Sequence, residues 1–158
     1  MRASKELEPE KRVEHYEWSF KEHLGSGSFA KVYKGRDRNT NEIVAIKIMD
    51  SSLMNDDYMK STLQNEVKIL KSLTSPNIVR LLDVYMTKNN VYIMQEFCKD
   101  GDLRHFMKER KGKAISEEEA NLILRNIIIG MRALAAKKIV HRDLKPENIM
   151  INDMVFKI

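Results

Sequence analysis

Near residue 100 the apolar residues of this 158-residue chain pass from a mainly strand-like to a mainly helical spacing, and that change restricts the fold more than any other feature. Before it, short β-branched and aromatic runs are cut by turn residues. Trp18, Phe20 and Leu24 lead into Gly25-Ser26-Gly27-Ser28, and Phe29-Ala30-Lys31-Val32-Tyr33-Lys34-Gly35 follows. This order reads as strand, glycine turn, strand. Residues 42–49 read as a further strand, and residues 78–85 and 91–97 as two more. One helix is predicted inside this stretch, over residues 59–73, where Leu63, Val67, Leu70 and Leu73 share a face before Ser75-Pro76-Asn77 breaks it. Past the connector 98–101 the period becomes helical. Residues 102–109 predict a short helix and 116–137 a long one, opened by a capping box of Ser116 and Glu119. Its wide stripe of Ala120, Ile123, Leu124, Ile127, Ile128, Met131, Leu134 and Ala135 is that of a helix central to a core. A polar loop, 141–148, and a hairpin, 149–158, complete the pattern. Strands first and helices after is the α+β class.

Composition excludes several functions. Lys and Arg number 28 against 23 Asp and Glu, a mild excess of +5. The densest basic stretch, Lys108, Arg110, Lys111 and Lys113, has no interleaved aromatic, so it reads as a solvated loop, and no nucleic-acid partner is expected. The single cysteine, Cys98, excludes an internal disulfide and a cysteine zinc site and fits a reducing compartment. The apolar run 127–129, like every other in the chain, is too short to cross a bilayer, and the charged start is no secretory signal. A cytoplasmic protein is expected. Nothing in the pattern sets an oligomeric state. Residues 1–17 read as a charged, poorly ordered leader, 18–97 as a first lobe, 98–101 as a hinge and 102–158 as an incomplete second part. The apolar strand Val155-Phe156-Lys157-Ile158 stops in mid-pattern, so the expectation is a piece of something longer.

Three constellations carry chemistry. Gly25 and Gly27 let backbone N–H groups approach an anion, although taken alone they equally describe a tight hairpin. Lys47, in Val44-Ala45-Ile46-Lys47, sits among apolar neighbours and needs an anionic partner if buried, for which Glu66 is a candidate; alone it also reads as a surface lysine on an edge strand. The loop His141-Arg142-Asp143-Leu144-Lys145-Pro146-Glu147-Asn148 brings two carboxylates, cations and an amide into eight residues. Asp143 can accept a proton or orient a hydroxyl, Asn148 offers a hard oxygen to magnesium, and Lys145 can neutralise a phosphoryl group. Alone, this is also a charged surface loop. His15, His23 and His105 lack any metal spacing and read as ordinary surface or packing residues, and His141 as a brace for its loop.

In this order, the three constellations resemble the protein kinase family over residues 18–158. The resemblance implies a bilobal protein-kinase-like fold, truncated: a five-stranded antiparallel N-lobe with one helix, then the first helices and catalytic loop of a mainly α C-lobe. It implies that Gly25, Ser26, Gly27 and Val32 cover the phosphates of ATP, and that Lys47 holds the α- and β-phosphates and pairs with Glu66. Val32, Ala45 and Met150 would sandwich adenine, with Gln95 at the back of the pocket. Glu96 and Cys98 would offer backbone hydrogen bonds, and Asp102 would lie near the ribose. Asp143 is implied as catalytic base, Lys145 as a contact to the transferring phosphate, and Asn148 as a ligand of Mg2+. Arg142 lies where many kinases meet an activation-loop phosphate. Asp143-Leu144-Lys145-Pro146-Glu147-Asn148 resembles the serine/threonine kinases, so the implied partners are proteins with Ser or Thr acceptors. Two stretches around Gly27 and Phe97 resemble the autophagy-initiating, unc-51-like kinases, with the calcium/calmodulin-dependent group close behind.

Two departures bear on activity. Ala30 stands where the family often has a third glycine; it adds only a methyl group, so nucleotide binding is expected to survive. The family's Asp-Phe-Gly motif and activation segment do not occur in the 158 residues. The chain alone is therefore expected not to turn over, and two other readings stand beside a kinase: a nucleotide- or partner-binding module, and a poorly folding remnant exposing Ile123, Ile127 and Met131.

Overall fold

The computed structural model describes residues 9–27, 30–51 and 67–158. The chain divides into two compact units. One holds the residues up to Lys71 together with Leu81–Phe97, and the other holds Ser72–Arg80 and Cys98–Ile158.

The first unit is an antiparallel sheet of β1 (Lys11–Val13), β2 (Tyr16–Ser26), β3 (Ala30–Asp37), β4 (Ile43–Asp50), β5 (Leu81–Met86) and β6 (Asn90–Glu96), in the order β1-β2-β3-β4-β6-β5. The two-residue period sends alternate side chains to opposite faces. Tyr33, Ile46 and Met94 are cross-strand partners in one row, and with Tyr16, Trp18 and Val44 they form the core of this unit. The Tyr16 hydroxyl donates to Asp83 Oδ2 at 2.7 Å, joining β2 to β5, which are not neighbours in the strand order. Lys71, at the end of helix α1 (residues 67–71), is the second partner of Asp83. Burial would raise the Asp83 carboxyl, but the hydrogen bonds from Lys71 and Tyr16 outweigh it and hold the group below its ordinary value.

The stretch expected to be a leader is different from residue 9 onward. Its end forms β1 and the start of β2, which makes six strands rather than five. The reason is a buried carboxylate. Glu17 is 3% exposed; its Oε1 accepts from Arg36 Nε at 3.0 Å and Nη2 at 2.6 Å, while Arg12 and Arg38 lie 3.7 and 3.5 Å from Oε2. A carboxylate held this deep requires cationic partners, and one of them comes from β1. The strand expected over 78–85 begins only at Leu81, because Val79 N–H donates to the Ile158 carbonyl and the Ile158 N–H to the Asn77 carbonyl. Of the helix expected over 59–73, residues 67–71 are helical; Leu63 lies outside the described residues.

The second unit contains α2 (Leu103–Glu109), α3 (Glu117–Ala136), a 3-10 turn at Pro146–Asn148, and the hairpin β7 (Met150–Asn152) and β8 (Val155–Lys157). Asp102 caps α2 and the Ser116/Glu119 capping box opens α3, both as the sequence predicts for these helix starts. Ile123 and Leu134 join Leu103, Ile149, Ile151 and Phe156 in one cluster, with Ile127 and Met131 packed against it. Gly130 is needed here, since a Cβ would lie 2.5 Å from the Asn77 carbonyl and 2.9 Å from Ile158 Cγ1. The buried stripe of α3 is thus narrower than its sequence suggests. Ile123, Ile127 and Met131 are packed, whereas Leu124 and Ile128 on the flank are 55% and 56% exposed, because the described elements pack on one side only. Among the described residues, no helix is long and apolar enough to cross a membrane.

Candidate functional site

In the first unit, β2 and β3 meet at the glycine turn, where Gly27 N–H donates to the Ala30 carbonyl at 2.8 Å. Among the described residues, a Cβ at Gly25 or Gly27 would meet nothing within 4 Å, so none of their contacts requires glycine at either position. Val32 pairs with Lys47, Lys47 with Ile93, and Ala45 with Gln95, so these side chains share the sheet face opposite the Tyr33–Ile46–Met94 row. That face is half-buried. Glu96 pairs with Val44 at the end of the sheet. Glu66, the expected partner of Lys47, lies outside the described residues.

In the second unit, the loop 141–148 gathers three of the predicted residues. Asp143 Oδ2 accepts from Lys145 Nζ at 2.9 Å and from Asn148 Nδ2 at 2.7 Å, and Asn148 Nδ2 also donates to the Asp143 carbonyl at 2.8 Å. Hydrogen bonds from Lys145 and then Asn148 outweigh desolvation and hold the Asp143 carboxyl below its ordinary value, while the bond to Asp143 raises the Lys145 ammonium. Because the Asn148 amide nitrogen serves Asp143, its Oδ1 is the atom suited to a hard cation. The turn that makes this possible is tight: Arg142 takes φ +66, and Asp143 N–H donates to His141 Nδ1 at 3.4 Å. His141 is therefore a brace for the backbone. Asp143 is left solvent-facing, its side chain 64% exposed.

The remaining predicted residues have structural positions as well. Asp102 accepts from His105 N–H at 2.8 Å as the cap of α2, and its backbone bridges to Met150. Cys98 is buried. Two features were not foreseen. Arg104 pairs with Glu147 at 2.5 Å, fastening α2 to the loop, and His23 Nε2 lies 2.8 Å from Ser26 Oγ beside the glycine turn. The first has no local sequence signal, since 43 residues separate the partners. The second is a three-residue spacing that carries no signature of its own.

The protein kinase domain family matches residues 18–158. The serine/threonine-protein kinase ULK1 of Homo sapiens is 39% identical over 142 residues, which cover 89% of this chain and 13% of that protein. The serine/threonine-protein kinase atg1 of Dictyostelium discoideum is 40% identical over 135 residues, 82% of this chain and 20% of its own. A hormonally up-regulated neu tumor-associated kinase homolog of Xenopus tropicalis is 40% identical over 131 residues, with coverages of 82% and 18%. The chain spans a fifth or less of the length of these three, and their near-equal identities do not single out a subgroup. The crystal structure of Rad53 1-466 in complex with AMP-PNP superposes with a TM-score of 0.75 at 32% identity, over 87% of this chain and 36% of that one. With the strand order, the half-buried lysine face and the carboxylate loop in place, these matches make the chain a member of the protein kinase domain family, of serine/threonine type.

Proposed function

We propose that these residues supply the nucleotide-holding sheet and the catalytic loop of an enzyme that transfers the γ-phosphoryl group of Mg·ATP to Ser or Thr hydroxyls of proteins. The observation that carries the reading is the Asp143 carboxylate held between Lys145 and Asn148 on an exposed loop. Asp143 stays ionised at neutral pH and presents an acceptor to an incoming hydroxyl. With so low a proton affinity it orients that hydroxyl and collects its proton late, as the phosphoryl bond forms. Lys145 offsets charge on the transferring group. Asn148 Oδ1 would hold magnesium, which supplies neutralisation of phosphate charge. On the sheet, the backbone at Gly25, Ser26 and Gly27 would cradle phosphates, the two glycines adding no side chain to the approach, and Lys47, for which Glu66 would be the partner, would lie beside them. Val32, Ala45 and Met150 would bound the adenine, Gln95 would back it, Glu96 and Cys98 would offer backbone atoms, and Asp102 would face the ribose. The one cysteine fits a reducing, cytoplasmic setting.

A second reading, a nucleotide- or partner-binding module that does not transfer phosphate, shares the same sheet and loop. Phosphoryl transfer to a protein substrate by the native protein containing these residues separates the two. Asp143→Asn and Lys47→Ala are each expected to lower the rate at least about a hundredfold. An unchanged rate in either variant removes that residue from the mechanism. No transfer by the native protein, with nucleotide still bound, leaves the binding module.

A further inference from the structure

We propose that Lys34 is a positioning residue for the nucleotide base, its ammonium holding the Phe97 ring as one wall of the slot that takes adenine. The inference deepens the nucleotide reading above and rests on it. Three observations meet at this pair. Lys34 of β3 is the cross-strand partner of Ala45 of β4, and Ala45 is that of Gln95 of β6. The three therefore stand in one row on the sheet face opposite Tyr33, Ile46 and Met94, and the nucleotide reading gives Ala45 and Gln95 to the base. From that row the Lys34 Nζ lies over the Phe97 ring, 5.4 Å from its centroid. Both side chains are half-buried and neither belongs to an apolar core, and among the described residues Lys34 has no carboxylate partner.

A half-buried ammonium without a counter-charge is costly, and the negative face of an aromatic ring offsets part of that cost. The same contact orders the ring. Phe97 depends on it more than a core ring would, because it follows the last residue of β6, between Glu96 and Cys98 in sequence, and no core cluster holds it. A ring already in place spares the nucleotide the entropy of ordering it. A flat purine then gains from an aromatic face or edge beside it. The effect belongs to the base rather than to the phosphates. Lys34 stands four residues along β3 from Ala30, where the glycine turn ends, which is about 13 Å of extended strand and more than a lysine side chain spans.

Calorimetric titration of the native protein containing these residues tests this, with adenosine and with ADP and magnesium as the two ligands. Wild type is compared with Lys34→Met, which keeps the apolar stem and loses the charge, and with Lys34→Arg, whose guanidinium also stacks on a ring. Lys34→Met should weaken adenosine and ADP by the same factor, roughly two- to fivefold, and Lys34→Arg should stay near wild type for both. In a Phe97→Leu background, Lys34→Met should add nothing, since the ring through which it acts is gone. Three results overturn the role of Lys34 while leaving nucleotide binding intact. They are unchanged affinities in Lys34→Met, a loss for ADP without one for adenosine, and a loss that persists beside Phe97→Leu. Lys34→Arg as weak as Lys34→Met overturns it too. A wild type that binds neither ligand overturns the nucleotide reading and this inference with it.

Discussion

Asp143 has its proton affinity set by two neighbours. The Lys145 ammonium contributes most, then the Asn148 amide, and together they hold the carboxyl below its ordinary value. In the role proposed for it the working form is the anion, so activity should persist as pH falls until the depressed value is reached. Removing a neighbour moves that limit upward. In a phosphoryl-transfer assay on the native protein, Asn148→Ala should shift the acid limb of kcat/KM toward neutral pH relative to wild type, and Lys145→Ala further, besides lowering the rate. An acid limb that stays in place would mean that Asp143 is not the titrating group. The glycines divide the same way, by what surrounds them. A Cβ at Gly35 would collide with Ile46 Cδ1 and come within 2.7 Å of the Glu17 carbonyl, so Gly35→Ala should cost about 1–3 kcal/mol in urea unfolding. Gly27→Ala meets no atom of the described residues within 4 Å and should leave that midpoint nearly unchanged while weakening Mg·ATP binding. Equal losses of stability in both variants would make Gly27 a folding residue.

The β7–β8 hairpin shows strain at the scale of an element. Asn152 pairs with Val155, and the two residues between them, Asp153 and Met154, take φ +50 and +62. Both central residues with positive φ make the turn that matches strand twist, and glycine is its preferred second residue. Methionine carries a Cβ penalty there, and Met154 is 51% exposed, so little packing is lost on truncation. Met154→Gly should therefore stabilise the chain by about 1 kcal/mol, read as a higher urea midpoint; a lower midpoint would show that the Met154 side chain contributes more than its backbone costs. The hairpin was legible in the sequence from its apolar ends, as was α3 from its capping box, because both signals lie within a few residues of the structure they specify. The strained turn was not, since Asp-Met has no turn preference to read. Helix α3 was legible in place and length but not in burial. Leu124 and Ile128 carry the same period as Ile123 and Ile127, and only the tertiary packing decides which flank is covered.

At the scale of the whole chain, what could be read was order and what could not was long-range pairing. Strands before helices, and the eight-residue loop that holds Asp143, Lys145 and Asn148, are contiguous in sequence. Residues 9–17 look like a polar leader because their charges have no local answer. Arg12 faces Glu17, and Glu17 in turn needs Arg36 and Arg38 from across the sheet. Tyr16 likewise finds Asp83 at a separation of 67 residues, and Asn77 donates to Asn126 Oδ1 and to the Phe156 carbonyl. Such pairs, rather than local propensity, set the edges of each unit. Nucleotide binding is the property that tests the whole. A ligand bound by the folded chain and not by the unfolded one adds RT ln(1 + [L]/Kd), about 2.7 kcal/mol at a hundred times Kd. For a chain of this length that is a rise of roughly 5–11 °C in melting temperature. Mg·ATP should produce it in the wild type, and Lys47→Ala should reduce it sharply while changing the unliganded melting temperature little, since Lys47 lies on the half-buried face and outside the core row. A wild-type melting temperature indifferent to millimolar Mg·ATP would leave the glycine turn as a plain hairpin and Lys47 as a sheet lysine.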